Sequence, residues 1–191
     1  MKALLLAALL PIAAVATLSG CVVARTEGHA VVTDAPADNH VHILIVPALP
    51  TPADKRNAAS IEADKHMASL FPQFATRLPA DFRRNGVDAD ATLLDIGSPV
   101  PAPAHGRTLV IRPVEAGVGF QSRAGQSWLD LAVTLNDADR GLIWQGWIRL
   151  SSGTAGVSYD ASAVDHAAVP LLEQLRDAKM IDISWRRPET P

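Results

Sequence analysis

The chain has 191 residues, 48% of them hydrophobic, with 17 Lys and Arg against 20 Asp and Glu, six His and a single Cys. That length supports one domain with a proper core and not two. A net charge of -3 argues against nucleic acid as a partner, and a lone cysteine excludes an intrachain disulfide.

The first element is residues 1–21. Lys2 supplies a positive charge, residues 3–15 are apolar except for Pro11, and Leu18-Ser19-Gly20-Cys21 closes the stretch. A charged start, a short apolar centre and a small-residue end predict a secretory signal peptide over residues 1–20. The unbroken apolar run, residues 3–10, is well short of the roughly 20 residues that span a bilayer. Leu18-Ser19-Gly20-Cys21 resembles the lipobox of bacterial lipoproteins, and Cys21 is the only cysteine. The resemblance implies cleavage before Cys21, a diacylglycerol on its sulfur and commonly an acylated amine; two or more chains anchor stably where one is marginal. Val22 follows, where an aspartate would imply retention at the inner membrane, so the resemblance implies the periplasmic face of the bacterial outer membrane. Lys2 is the leader's only charge, so 16 of the 17 basic and all 20 acidic side chains belong to the mature chain.

Residues 22–39 mix Thr, Glu, Gly, Asp, Ala and Pro without periodicity. With lipidated Cys21 they read as a flexible tether with a reach on the order of 25 Å. A single domain is expected over residues 40–187, ahead of a polar tail at 188–191. Residues 41–46 form its first strand, apolar on both faces and therefore central, stopped by Pro47. Thr51, Pro52 and Asp54 read as a helix start. Ile61, Ala68, Phe71, Phe74, Ala75, Leu78 and Phe82 form one apolar stripe. Pro72 and Pro79 predict kinks or a break, and Asn85-Gly86 the end.

A short strand is expected over residues 92–96, a proline-rich connector over 97–106 and a third strand over 108–114. The clearest signal is a hairpin, in which Leu129, Leu131, Val133 and Leu135 alternate with polar residues, as do Leu142, Trp144, Gly146, Ile148 and Leu150. Pairing Leu135 with Leu142 puts both apolar sets on one face, with Gly146 leaving space for a helix to approach. Asp160 is placed to cap a last helix with Val164, Ala168, Leu171 and Leu175 inward and a kink at Pro170. Ile181, Ile183 and Trp185 read as a final short strand.

This order predicts an α+β two-layer sandwich: a mainly antiparallel sheet of four to five strands with two helical segments on one face. The arrangement is similar to that of small α+β auxiliary lipoproteins of envelope transport and assembly machines, which implies an accessory role.

Candidate chemistry is sparse. His40 and His42 share one side of a strand and are the weak candidates for a metal, with Asp38 or His105 as further ligands. Solvated strand histidines are the simpler account, and no metal or cofactor is expected. Asp165-His166 lacks a nucleophile elbow, and adjacent helical residues point apart. Residues 117–122 begin like a dinucleotide loop but lack the third glycine and the following helix. Trp128 and Trp147 are expected on the face opposite the core, diagonal to one another and near Ile143. They are the partner-binding candidates unless an element such as the Trp185 segment covers them.

The expectation is therefore a lipid-anchored, non-enzymatic accessory or binding lipoprotein of the bacterial envelope, in an assembly or transport system. It would meet the membrane through lipid on Cys21 and an envelope protein through its domain. The alternatives are a periplasmic metal binder or enzyme using His40 and His42, and a lipid carrier with its cavity between helix and sheet.

Overall fold

Inward-facing apolar positions on six strands and two helices meet in one layer between sheet and helices. The computed structural model describes residues 22–103, 105–119, 126–152 and 161–182. Strands β1 (Val22–Ala30), β2 (His40–Ile45), β3 (Asp88–Leu93), β4 (Arg107–Gly119), β5 (Gln126–Asp137) and β6 (Gly141–Ser152) form one sheet in the order β1-β6-β5-β4-β2-β3. Helices α1 (Ala58–Arg84) and α2 (Ala161–Asp177) pack on one face of it and against each other, α1 beneath β2 and β3, α2 beneath β1 and β6. The fold is α+β, with six strands in place of the expected four to five. Three strand pairs are antiparallel, and β2 is parallel to both β3 and β4. The crossover through α1 makes the β2–β3 pair parallel, because a helical return brings the chain back in the same direction. The leader, Cys21, Asp160, Ile183, Trp185 and the polar tail lie outside the described residues.

The additional strand is β1. The first half of the segment expected to be a tether pairs with β6, from Val22 opposite Ser152 to Ala30 opposite Trp144. Its inward positions, Val22, Ala24, Thr26, Gly28 and Ala30, are mostly small, so no apolar alternation announces a strand. The small residues have a packing cause. Gly28 faces Gly146 across the β1–β6 pair, and the buried Trp144 indole lies against both. A Cβ on Gly28 would overlap the indole ring, and one on Gly146 would meet both the indole and the Glu27 carbonyl. Gly146 thus makes room for Trp144 and not, as expected, for a helix.

The β5–β6 hairpin keeps most of the expected inward set but not the expected register, and Leu142, expected inward, stands opposite Asn136 and is only half-buried. Leu135 pairs with Trp144, Val133 with Gly146 and Leu131 with Ile148, two residues along from the predicted pairing. An irregularity between Leu135 and Asn136 absorbs the difference, and Gly141 (φ 73) closes the turn in a left-handed conformation that suits glycine. The extra residue leaves Ile143 and Trp144 both fully buried, so Ile143 belongs to the core and not to the outer face.

Helix α1 begins later than Thr51 implied. Thr51, Pro52 and Asp54 lead into a single 3-10 turn, Ala53–Lys55, and the α-helical cap is Asn57. The Ser60 amide donates to the Asn57 side chain (2.9 Å), and the Asn57 amide donates to the Ser60 hydroxyl (2.9 Å), a reciprocal capping box. Pro72 and Pro79 lie inside the 27-residue helix without ending it. Each removes a donor, and the buried stripe of Leu70, Phe71, Phe74, Leu78 and Phe82 offsets that loss. Ile61 and Ala68, expected on the same stripe, are exposed. In α2, Val164, Ala168, Leu171 and Leu175 are all buried as expected, and Pro170 does not end the helix.

Two ionic features lie in the helical layer. Arg77 of α1 donates twice to Asp165 of α2 (3.0 and 2.8 Å), which gives Asp165 a structural partner. One turn on, Asp81 is buried beside Arg84, and its Oδ2 has no hydrogen-bond partner. Burial pushes the Asp81 carboxyl above its ordinary 3.8. Arg84 pulls it down, Asp165 adds to the rise and Arg77 opposes it. A carboxyl raised in the folded state binds its proton more tightly there than when unfolded. Its stabilising contribution is therefore full below about pH 3.8 and is lost as pH rises through the folded value. Asp81→Asn, which cannot ionise, is expected to stabilise the fold at pH 7 by about 1 kcal/mol or less, and to change little at pH 4. Urea unfolding at the two pH values measures the difference.

Candidate functional site

The carboxyl ends of the parallel strands β2 and β3 lead into chain that cannot continue the sheet. β2 runs into Pro47 and Pro50, and β3 into Leu94, Asp95, Ile96 and Gly97 (φ 81). The last sheet-like bonds are Val46 N–H to Ile111 O and Leu94 N–H to Ile45 O, both 2.9 Å. Beyond them, residues 47–50, residues 93–96 and the first half of α1 line a common space. A groove of about 630 Å³ results, with Leu49, Ile61, Met67, Phe71, Leu93 and Ile96 among its apolar walls. That volume falls within the roughly 300–1,000 Å³ of small-molecule pockets.

The groove has a fixed rim. The Asp64 carboxylate on α1 accepts from the Thr51 amide (3.2 and 3.0 Å) and from the Thr51 hydroxyl (3.0 Å), pinning the β2–α1 connection to the helix. Arg56 donates from Nε to the Thr51 carbonyl (2.9 Å). Arg56, Asp64, Lys65 and Asp95 are the charged members of a lining that is otherwise apolar. Leu49 is 72% exposed, Ile96 62% and Ile61 45%, so much of the apolar wall is open to solvent. An assembly of this kind can take up an apolar body and hold a polar group at its mouth.

The residues singled out from the sequence lie elsewhere. His40 and His42 of β2 stand in register with Asp88 and Asp90 of β3. Each ring bonds its own carboxylate through Nδ1, at 3.0 Å for His40–Asp88 and 2.8 Å for His42–Asp90. Asp38 accepts from the His40 amide (3.2 Å), and His105 is exposed in the loop before β4. Among the described residues no three His, Cys, Asp or Glu side chains are grouped to hold a metal ion. The pairs work as cross-strand ties between β2 and the edge strand β3.

Trp128 and Trp147 both lie on the helix-free face and are half-buried. They are farther apart than the expected diagonal, because Trp128 pairs with Ser151 and Trp147 with Ala132. Between them Asp130 accepts two hydrogen bonds from Arg149 (2.7 and 2.5 Å), and the Arg149 guanidinium sits 5.7 Å from the Trp147 ring centre. An ion pair therefore divides the two indoles. The groove was not anticipated residue by residue, although Ile61 and Ala68, assigned to the core stripe, line it. Its available signal was a pair of apolar residues, Leu49 and Ile96, beside prolines and glycine where no strand or helix needs them.

No protein-family model matches the chain, and no curated protein matches it. Among solved structures, two PelC dodecamers from Paraburkholderia phytofirmans match 85% of this chain and 100% of theirs. Their identities are 13% and 16%, with TM-scores of 0.42 and 0.39. A neuraminyllactose-binding hemagglutinin homologue from Helicobacter pylori matches 76% of this chain and 90% of its own, at 12% identity and a TM-score of 0.33. At these scores none of them assigns a function to this chain.

Proposed function

We propose that this chain is a lipid-anchored, non-enzymatic binding lipoprotein of the bacterial envelope, attached through Cys21 at the periplasmic face of the outer membrane. It would serve an assembly or transport system by taking an apolar ligand into the groove between α1 and the ends of β2 and β3. The anchor rests on the lipobox-like Leu18-Ser19-Gly20-Cys21. The binding role rests on one observation, the open apolar groove with its pinned rim. The lipid-carrier alternative gains from the same observation, because the groove lies between helix and sheet. The Trp128 and Trp147 face is a weaker candidate, since the Asp130–Arg149 pair interrupts it.

A photo-crosslinking side chain at Leu49, in the full chain expressed in a Gram-negative envelope, tests this reading. Labelling of one apolar ligand is expected at Leu49 and not at Val31, an exposed apolar position just beyond β1. Ile61→Arg should lower that labelling at least fivefold without moving the urea midpoint. Equal labelling at the two positions would count against the groove as the binding site.

A further inference from the structure

Strand direction places the groove and the proposed anchor at the same end of the sheet. β6 is antiparallel to β5, β5 to β4, and β4 is parallel to β2, so β6, β4, β2 and β3 all run one way. β1 runs the other way and starts at Val22, opposite Ser152, the last residue of β6. β1 thus enters from the side towards which β2 and β3 run, with Ile45 at the end of β2 level with Gly28 and Val22 lying farther along. Val22 directly follows Cys21. No tether intervenes.

The two ends of the molecule differ in character. Around the entry of β1 and the exits of β2 and β3, the exposed large apolar residues are Val23, Leu49, Ile61, Leu93, Ile96 and, in the upper part of β4, Val114. Among the described residues, the opposite end carries Arg83, Arg84 and Asn85 at the end of α1, Asp137, Asp139 and Arg140 at the β5–β6 turn, and Lys179 after α2, with Val31 apolar there and Val100 and Val169 exposed in the β3–β4 loop and in α2. At the groove, Arg56 gives Nε to Thr51, and among the described residues its terminal nitrogens have no hydrogen-bond partner and are placed for an anion at the mouth. Asp64 is already occupied by its three bonds from Thr51, and Asp95 stands on the β3 side.

We infer that the groove-bearing end faces the bilayer and that the groove admits one acyl chain of a membrane glycerophospholipid, whose phosphate pairs with Arg56. This rests on the proposed function and names its ligand. The apolar wall removes the chain from water, and a guanidinium provides paired donors for phosphate oxygens. An anchor joined directly to the sheet would hold that mouth near the lipid surface, where a flexible 18-residue tether would let it turn in any direction.

The test uses the full lipidated chain reconstituted into phosphatidylethanolamine–phosphatidylglycerol vesicles with brominated acyl chains, which quench tryptophan on contact. Ile96→Trp and Val31→Trp each add a reporter, at the two ends, over the same background. At least twofold quenching of the added emission is expected for Ile96→Trp and none for Val31→Trp. Arg56→Gln in the Ile96→Trp background should weaken that quenching, more in phosphatidylglycerol-rich vesicles than in phosphatidylethanolamine alone. Mass measurement of the amino-terminal peptide reports separately whether Cys21 is acylated. If it is not, the anchor reading fails, whereas quenching by added vesicles still reports on the groove. With Cys21 acylated, equal quenching at both ends, or none at Ile96→Trp, overturns the inference. So does a crosslink from the groove to polypeptide in place of lipid quenching.

Discussion

Gly28→Ala should destabilise this protein by about 3 kcal/mol, lowering its melting temperature by about 6–12 °C. In most strands the same change is neutral or favourable, because alanine loses less backbone freedom than glycine on folding. Here the added methyl would occupy the position of the Trp144 ring, which is buried and held by β1 on one side and by the core on the other. A rigid ring cannot yield as the end of a flexible side chain can. Repeating the substitution in a Trp144→Leu background separates this clash from any general strand effect. Thermal and urea unfolding of the four proteins in the cycle should show most of the Gly28→Ala cost disappearing once the indole is gone. An equal cost in both backgrounds would place its origin elsewhere.

Arg107→Met should be more damaging, at about 3–5 kcal/mol. Arg107 opens β4, is 1% exposed, and donates from its two terminal nitrogens to the carbonyls of Met180 and Pro36. Its Nε lies 3.7 Å from Asp137 Oδ2, beyond hydrogen-bond reach but close enough for an ionic attraction. One guanidinium thus joins the chain before β2, the chain after α2 and the end of β5, beside the isolated bridge between Asp38 and Ile181. Methionine would fill the volume but take a donor from the Pro36 carbonyl, leave the Met180 carbonyl only the long bond from the Asp38 amide (3.4 Å), and remove the countercharge of Asp137. Arg107→Lys should fall between the two, because a single ammonium cannot span both carbonyls in the guanidinium's geometry. Urea midpoints of the three proteins order the effect; a midpoint for Arg107→Met within error of the parent would show that the carbonyls find other donors.

Much of the fold was legible where side chains alternate strongly. The inward set of the β5–β6 hairpin apart from Leu142, the apolar residues of strand β2 and the α2 stripe all follow from apolar spacing and are buried. β1 was not legible, because Trp144 requires small residues at Gly28 and its neighbours, so the strand reads like a linker. β3 was placed four residues late for a related reason. Its first residues, Asp88 and Asp90, look like a turn until His40 and His42 are set beside them across the parallel pair. The hairpin register slipped by two because an irregularity beside the turn has no distinctive residue type. The groove was out of reach for a different reason. Its walls come from three separate segments around Leu49, Ile61 and Ile96, and only the crossover topology brings them together.

Helix α1 is fastened unevenly, and this bears on how the groove behaves over time. Among the described side chains of α1, none before Leu70 is buried, whereas Leu70, Phe71, Phe74, Leu78 and Phe82 all are. Pro72 stands at the boundary and has no amide to offer the Ala68 carbonyl, so the helical bonding thins where the packing ends. The first three turns therefore have a lower free energy of opening than the rest of the helix, and their amides exchange with solvent sooner. Those turns are the groove's helical wall. Ile61 and Ala68 can therefore shift with those turns, while Met67 and Phe71 of the same wall stay packed on the core.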